Sequence, residues 1–175
     1  IVHQVKEYEQ EHGSNQSTYW LIFELLWRDY FRFVAMKYGN QLFLKNGLKA
    51  SAPQWSQNKE VLNKWIEGKT SDSFVNANMH ELRRTGWMSN RGRQNVASYL
   101  VHDLGIDWRL GAAVFEHFLI DYDPTANYGN WAYLAGVGND PRPNRKFNTQ
   151  KQASMYDAQG KYQQKWNNEL LEFDV

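Results

Sequence analysis

The sequence predicts an all-α domain, and three observations carry that expectation. Apolar residues recur at i, i+3 and i+4 along most of the chain. Candidate helices end on glycines, at Gly39, Gly68, Gly86 and Gly105. No stretch convincingly alternates apolar and polar residues as a half-buried strand would. A chain of 175 residues fits one domain around one core.

Taken in order, the opening "IVHQVKEYEQEHG" is polar and charged and lacks the apolar core of a signal peptide. Ser17 or Thr18 is placed to cap a long helix over 19–38. There Trp20, Phe23, Trp27, Phe31 and Val34 form one broad apolar set. Leu25, Leu26, Tyr30 and Phe33 widen it, so this helix is expected to be mostly buried. After the loop "GNQLFLKNGLKASAPQW", shorter helices are expected at 58–67, 73–85 and 90–104. Asp107 can cap the next, which runs to Ile120. The polar "DYDPTANYGNW" reads as a turn-rich segment, followed by a short helix over 129–136. The remainder reads as loop with short helical pieces.

Composition removes several classes of chemistry. The chain has no cysteine, which excludes disulfides, thiolate nucleophiles, zinc fingers and iron–sulfur clusters. Its net charge of +1 gives no global basic field, so any nucleic-acid contact must come from a local patch. No apolar run approaches a membrane span, and an intracellular protein is expected, its compartment undefined. The outlier is aromatic content, with eight Trp, ten Tyr and nine Phe. A core of large residues accounts for most of them. Stacking on a flat ligand and electron transfer are the other uses of so many indoles.

Charged residues inside apolar patterns mark where chemistry can sit. Glu24 and Arg28 share a face of the most apolar helix. A charge there either pairs internally or faces a site. Asn90, Arg91 and Arg93 open a helix, whose N-terminus offers free N–H groups to an anion. Asp121 and Asp123 flank Tyr122 and precede Asn127. Such carboxylates can cap a turn, hold a metal, move a proton, or receive a hydroxyl or ring N–H. His117 is the obvious nitrogen ligand nearby and no H-x-x-x-H pair exists, so no metal is expected. The "GVG" at 136–138 follows no strand and is not a dinucleotide fingerprint.

Together, "STYWLIFELLWRDYFRF", "GWMSNRGRQNVASYLVHDLGIDWR" and "LIDYDPTANYGNW" resemble the photolyase/cryptochrome family, and within it the cryptochrome DASH branch. The resemblance is collinear through "FNTQKQASMYDAQGKYQQKW". It implies a helical domain that binds FAD in a bent conformation. It also implies blue-light-driven electron transfer and repair of cyclobutane pyrimidine dimers, in single-stranded DNA for this branch. Light sensing or nucleic-acid binding without catalysis on the same fold is one alternative, and a helical fragment that no longer binds FAD is another. By motif, the resemblance assigns Glu24, Arg28, Trp87, Asn90, Arg93, Asp121, Asp123 and Asn127 to the flavin side. Arg93 is expected to pair with Asp121, and Asn127 to sit beside the flavin N5. It assigns Trp27, Arg28, Asn90, Arg91, Tyr133 and Gln152 to the DNA side. Tyr133 stands where ordinary dimer photolyases have a second substrate-stacking Trp. Trp131, Trp108 and Trp55 match an electron relay running from flavin to surface. Arg28, Arg83, Arg84, Arg91, Arg93, Arg142, Arg145 and Lys146 are candidate phosphate contacts. The family's antenna domain and its FAD-phosphate turn are both expected to lie before residue 1.

Overall fold

A computed structural model describes residues 1–51, 53–139 and 146–168, so Arg142 and Arg145 lie outside the described residues. The described part is helical. Helix α1 is Val2–His12, α2 Gln16–Tyr38, α3 Lys59–Ile66, α4 Ser73–Thr85 and α5 Asn90–Ser98. They are followed by α6 Trp108–Phe118, α7 Pro124–Leu134, α8 Thr149–Tyr156 and α9 Lys161–Asn168. A 3-10 turn, Gly39–Phe43, continues α2. A π-helical turn, Tyr99–Asp103, continues α5.

The helix starts follow from side-chain capping, because the first N–H groups of a helix have no partner inside it. Asn58 accepts from Glu60 and Val61 N–H, Asp72 from Val75, Ser89 from Gly92 and Asp107 from Arg109. Two sequence expectations shift, and one further helix appears. The cap of α2 is Asn15, which accepts from both Ser17 and Thr18, so those two lie in the first turn. The expected helix over 129–136 starts earlier. Asp123 accepts from the Ala126 N–H and Pro124 occupies the first helical position, where its missing N–H costs nothing. The polar N-terminal segment also forms a helix, α1, of which only Val5 is buried.

The core gathers α3 to α7 around Trp65, Met79, Leu82, Met88, Leu100, Ile106 and Trp108, all essentially inaccessible. Two buried indoles satisfy their N–H on backbone: Trp65 donates to the Val96 carbonyl and Trp108 to that of Lys45, each at 3.1 Å. A single parallel bridge joins Ser56 to Ile106. Ser56 N–H donates to Gly105 O at 2.8 Å, and Asp107 N–H donates to Ser56 O at 3.0 Å. That bridge ties the loop carrying Trp55 to the start of α6.

Helix α2 departs from expectation. It buries only Thr18, Phe31 and Val34. Trp20, Leu21, Leu26, Tyr30, Phe33 and Met36 are exposed. The helix is apolar nearly all round, yet within this chain its main contacts are one flank against α7 and the 3-10 turn. The close approach to α7 is made at Gly129, where a Cβ would lie 2.7 Å from Phe31 ring atoms.

Candidate functional site

The loop before α7 and the N-termini of α5 and α7 converge on one cavity of about 160 Å³. Its polar walls include Asn90 and Arg93 from α5, Asp121 and Asp123 from the loop, and Asn127 from α7. Its apolar walls include the rings of Phe115, Trp131 and Tyr133. Five of the residues assigned to the flavin side therefore share one space.

Their hydrogen bonds fix the geometry. The Arg93 guanidinium donates to both Asp121 oxygens at 3.0 Å, while its Nε donates to the Met88 carbonyl at 2.8 Å. The expected Arg93–Asp121 pair is thus present, with the arginine held by the turn before its own helix. Asp123 serves two tasks. It caps α7 through the Ala126 N–H at 2.9 Å, and its other oxygen accepts from Arg32 at 3.2 Å. Burial pushes the Asp123 carboxyl up. The Ala126 N–H, the Thr125 hydroxyl and the Arg32 guanidinium outweigh that and leave it below the ordinary aspartate value. Asn127 donates from Nδ2 to the Ala112 carbonyl at 2.9 Å, which anchors it to α6. With that N–H engaged, its Oδ1 is available as an acceptor.

The remaining sequence assignments sit at the rim or further out. Tyr133 lines the cavity and meets the Trp27 ring edge-on, with centroids 6.0 Å apart. Arg28 follows Trp27 on α2 and is outside the cavity lining. Its ion partner is Asp29 at 3.5 Å, not Glu24, so of the two readings for this helix face the internal Glu24–Arg28 pair is not the one formed. Arg28 Nε is buried without a hydrogen-bond partner. Glu24 and Trp87 are outside the cavity lining, and Trp87 is 47% exposed on the turn between α4 and α5. Arg91 projects from α5 over the Tyr156 ring of α8, 5.4 Å from its centroid, and donates to Gln94 at 2.9 Å. Gln152, also on α8, keeps a buried Oε1 without a partner.

The resemblance assigns three tryptophans to a relay, and burial separates one of them from the other two. Trp131 and Trp108 are buried and Trp55 is partly exposed. Trp131 lies against the backbone of α6 at Gly111, one turn from Trp108. The Ser56–Ile106 bridge then sets Trp55 beside the residues preceding Trp108. Trp65 also meets Trp131 edge-on at 6.3 Å.

Sequence reasoning missed several groups. Arg32, the ion partner of Asp123, lies one turn after Arg28, and that spacing was a readable signal. Gln94, Asn130 and Phe147 also line the cavity. Tyr122 and Tyr128 both converge on Glu116. Among the described residues, no group of three or more His, Asp or Glu could hold a metal ion. No helix there is long and apolar enough to cross a membrane.

A sequence profile of the FAD binding domain of DNA photolyase matches residues 20–175. The chain belongs to this photolyase family. This photolyase-type domain is 59% identical over 170 residues to a cryptochrome DASH of Danio rerio, covering 97% of this chain and 33% of that one. It superimposes on a Synechocystis cryptochrome with TM-score 0.90 and 56% identity, over 98% of this chain and 35% of that one. An archaeal photolyase from Sulfolobus tokodaii, solved with two FAD molecules, matches at TM-score 0.81 and 32% identity. That match covers 97% of this chain and 39% of the archaeal one. The photolyase-type domain thus spans about a third of the length of the relatives it matches.

Proposed function

We propose that this domain holds the ring end of FAD in the cavity between α5, α6 and α7 and passes electrons to it under blue light. The observation that carries the reading is the cavity wall. It brings aromatic rings, among them Phe115, Trp131 and Tyr133, into one space with an Arg93–Asp121 pair and the carboxamides of Asn90 and Asn127. A flat, heteroatom-rich ring system needs that combination: apolar faces to stack on and a few fixed donors and acceptors at its edge. Size also discriminates. At about 160 Å³ the cavity is smaller than the roughly 300–1,000 Å³ of whole small-molecule sites. It suits one ring system and not an entire dinucleotide.

The bound flavin would supply the one-electron photochemistry, as the cofactor carries the hard step in such proteins. The chain's own residues have distinct tasks. Asp121, held by Arg93, accepts from a flavin-side hydroxyl or ring N–H. Asn127, anchored through Ala112, offers its Oδ1 to an N–H on the flavin edge. Trp131 donates the electron and is refilled through Trp108 and Trp55. A chain of indoles divides one long transfer into short hops. Two of them are kept from water by the core.

On the DNA side, Arg91 over the Tyr156 ring, exposed Trp87, Trp27 with Tyr133, and Asn90 serve in this reading as a basic and aromatic contact surface. Such a surface fits single-stranded nucleic acid, where bases stack and phosphates pair with cations. The substrate reading follows: a pyrimidine dimer in single-stranded DNA, whose extrusion into the cavity costs least where the strand is already unpaired. Flavin photochemistry without dimer repair is the second reading, favoured where Tyr133 provides only a phenol to stack on the lesion. A repair assay on a single-stranded thymine-dimer oligonucleotide with the flavin-loaded protein separates the two. Light-dependent loss of the dimer is expected. Normal photoreduction without loss of the dimer would leave the sensor reading.

A further inference from the structure

We propose that Tyr128 is a second outlet of the tryptophan relay, giving an electron to Trp108 while its phenol proton passes to Glu116. The proposal rests on the relay reading above. The Tyr128 ring meets the Trp108 ring edge-on, with centroids 6.2 Å apart. Its hydroxyl donates to Glu116 Oε2 at 3.1 Å. Glu116 is on the exposed face of α6, so a proton it receives can leave to water. Phe43 packs edge-on against the other side of the Tyr128 ring at 4.9 Å and holds it in place.

Proton bookkeeping decides why a hole on Trp108 should move. Trp108 is fully buried, and its indole N–H is spent on the Lys45 backbone carbonyl. An amide carbonyl is a poor proton acceptor, so an oxidised Trp108 stays a cation in a low-dielectric core, which is costly. Tyr128 has a carboxylate at hydrogen-bond distance. Its oxidation yields a neutral radical, with no charge left in the core. The step balances. One electron passes from the Tyr128 ring to the oxidised Trp108, the phenol O–H bond breaks, and Glu116 becomes a carboxylic acid. The primary oxidant is the light-excited flavin of the proposed site, acting through Trp131. Tyr122 faces the same carboxylate from the cavity side. Burial, then Glu116, pushes its phenol up to about 12, and the same two causes raise Tyr128.

Two measurements test the proposal. The first needs no flavin. Tyrosine labelled with carbon-13 at Cζ is followed by NMR while acid protonates Glu116. The Tyr128 resonance, identified by its loss in Tyr128→Phe, should shift with that titration. In Glu116→Gln the shift should vanish. An unmoved Tyr128 signal in the parent would break the proton path and overturn the proposal. The second uses the FAD-saturated chain and transient absorption with electron paramagnetic resonance after a blue flash. Trp55→Phe should retain a long-lived radical pair carrying a neutral tyrosyl signal. Adding Tyr128→Phe should abolish that signal, and adding Glu116→Gln should weaken it. A tyrosyl signal surviving Tyr128→Phe places the hole on another tyrosine and overturns the assignment. Loss of all long-lived radicals in Trp55→Phe alone would show that Trp55 is the sole outlet. Photoreduction insensitive to Trp131→Phe, or a chain that retains no flavin, would instead bring down the relay reading and this outlet with it.

Discussion

Replacing Gly111 by Ala tests the contact that seats Trp131 on α6. A Cβ built there lies 2.5 Å from Leu100 Cδ2 and 2.6 Å from Trp131 Cζ3, and closer still to Trp131 Cη2. Two of these atoms belong to a rigid indole and the third is a leucine methyl. Trp131 and Leu100 are both buried, so neither can swing into solvent. Two effects oppose each other. Alanine in a helix interior gains about 1 kcal/mol over glycine from backbone propensity. Overpacking a dense core costs roughly 1–3 kcal/mol, and a clash with two buried neighbours belongs near the upper end. The expected net destabilisation is about 2 kcal/mol. At roughly 2–4 °C per kcal/mol for a domain of this size, the melting temperature should fall by roughly 4–8 °C. Urea unfolding followed by circular dichroism reads the midpoint directly, and an unchanged slope would confirm that the native state moved and not the denatured ensemble. A variant as stable as the parent, or more so, would refute the claim that Trp131 is pressed against the α6 backbone. It would also loosen the inferred spacing between Trp131 and Trp108.

Other predictions address the polar wall, the electron path, the rim and acid stability. Asp121→Ala should scarcely change stability, because Asp121 is half exposed and such ion pairs contribute about 0–1 kcal/mol. It should weaken flavin binding by roughly 10- to 100-fold, read by fluorescence titration, since a charge-assisted hydrogen bond is lost. Trp131→Phe should leave flavin binding nearly intact while slowing photoreduction under continuous blue light. Arg91→Ala should weaken single-stranded DNA binding and lower the log–log salt slope by about 0.7, the value for one phosphate on a single strand. Asp107 is buried, which pushes its carboxyl up, but hydrogen bonds and charge from Arg109 outweigh this and hold it below the ordinary value. A carboxyl lowered on folding contributes stability that is full above its unfolded value and is lost as pH falls through the folded one. Unfolding midpoints measured from neutral pH into acid should therefore drop less steeply in Asp107→Asn than in the parent.

The helices were legible wherever a local signal set their ends. Gly86, for example, adopts φ of 69° at the end of α4, as the sequence implies. The 90–104 stretch did form, but as α5 followed by a π-helical turn. No spacing rule announces that change, which depends on how Tyr99 and Leu104 close their backbone bond at 3.0 Å. The start of α7 was misplaced because Asp-Pro was taken for a turn. The same dipeptide also suits a cap followed by the first helical residue. Amphipathicity misjudged α2 for a different reason. Apolar content measures what a helix can bury, whereas burial depends on which neighbours are present.

For the site, the Arg93–Asp121 pair and the cluster of Asn90, Asp123 and Asn127 followed from the motif resemblance and appear as one wall. The sequence left open whether Glu24 and Arg28 pair internally or face a site; Arg28 meets Asp29 instead, since i, i+4 spacing permits a contact without requiring it. Glu116 with its two tyrosines was illegible. The three residues come from α6, α7 and the intervening loop, and only the packing of α6 on α7 brings them together.

The measurement that bears most directly on the central claim is an absorption spectrum of the purified chain from the near ultraviolet to the red. It is recorded after incubation with FAD and desalting, then again after blue illumination. A structured flavin band that survives desalting and bleaches in blue light, with bleaching slowed in Trp131→Phe, is the predicted result. A folded, helical chain that loses all flavin on desalting, or one whose bound flavin bleaches at the same rate without Trp131, would contradict it.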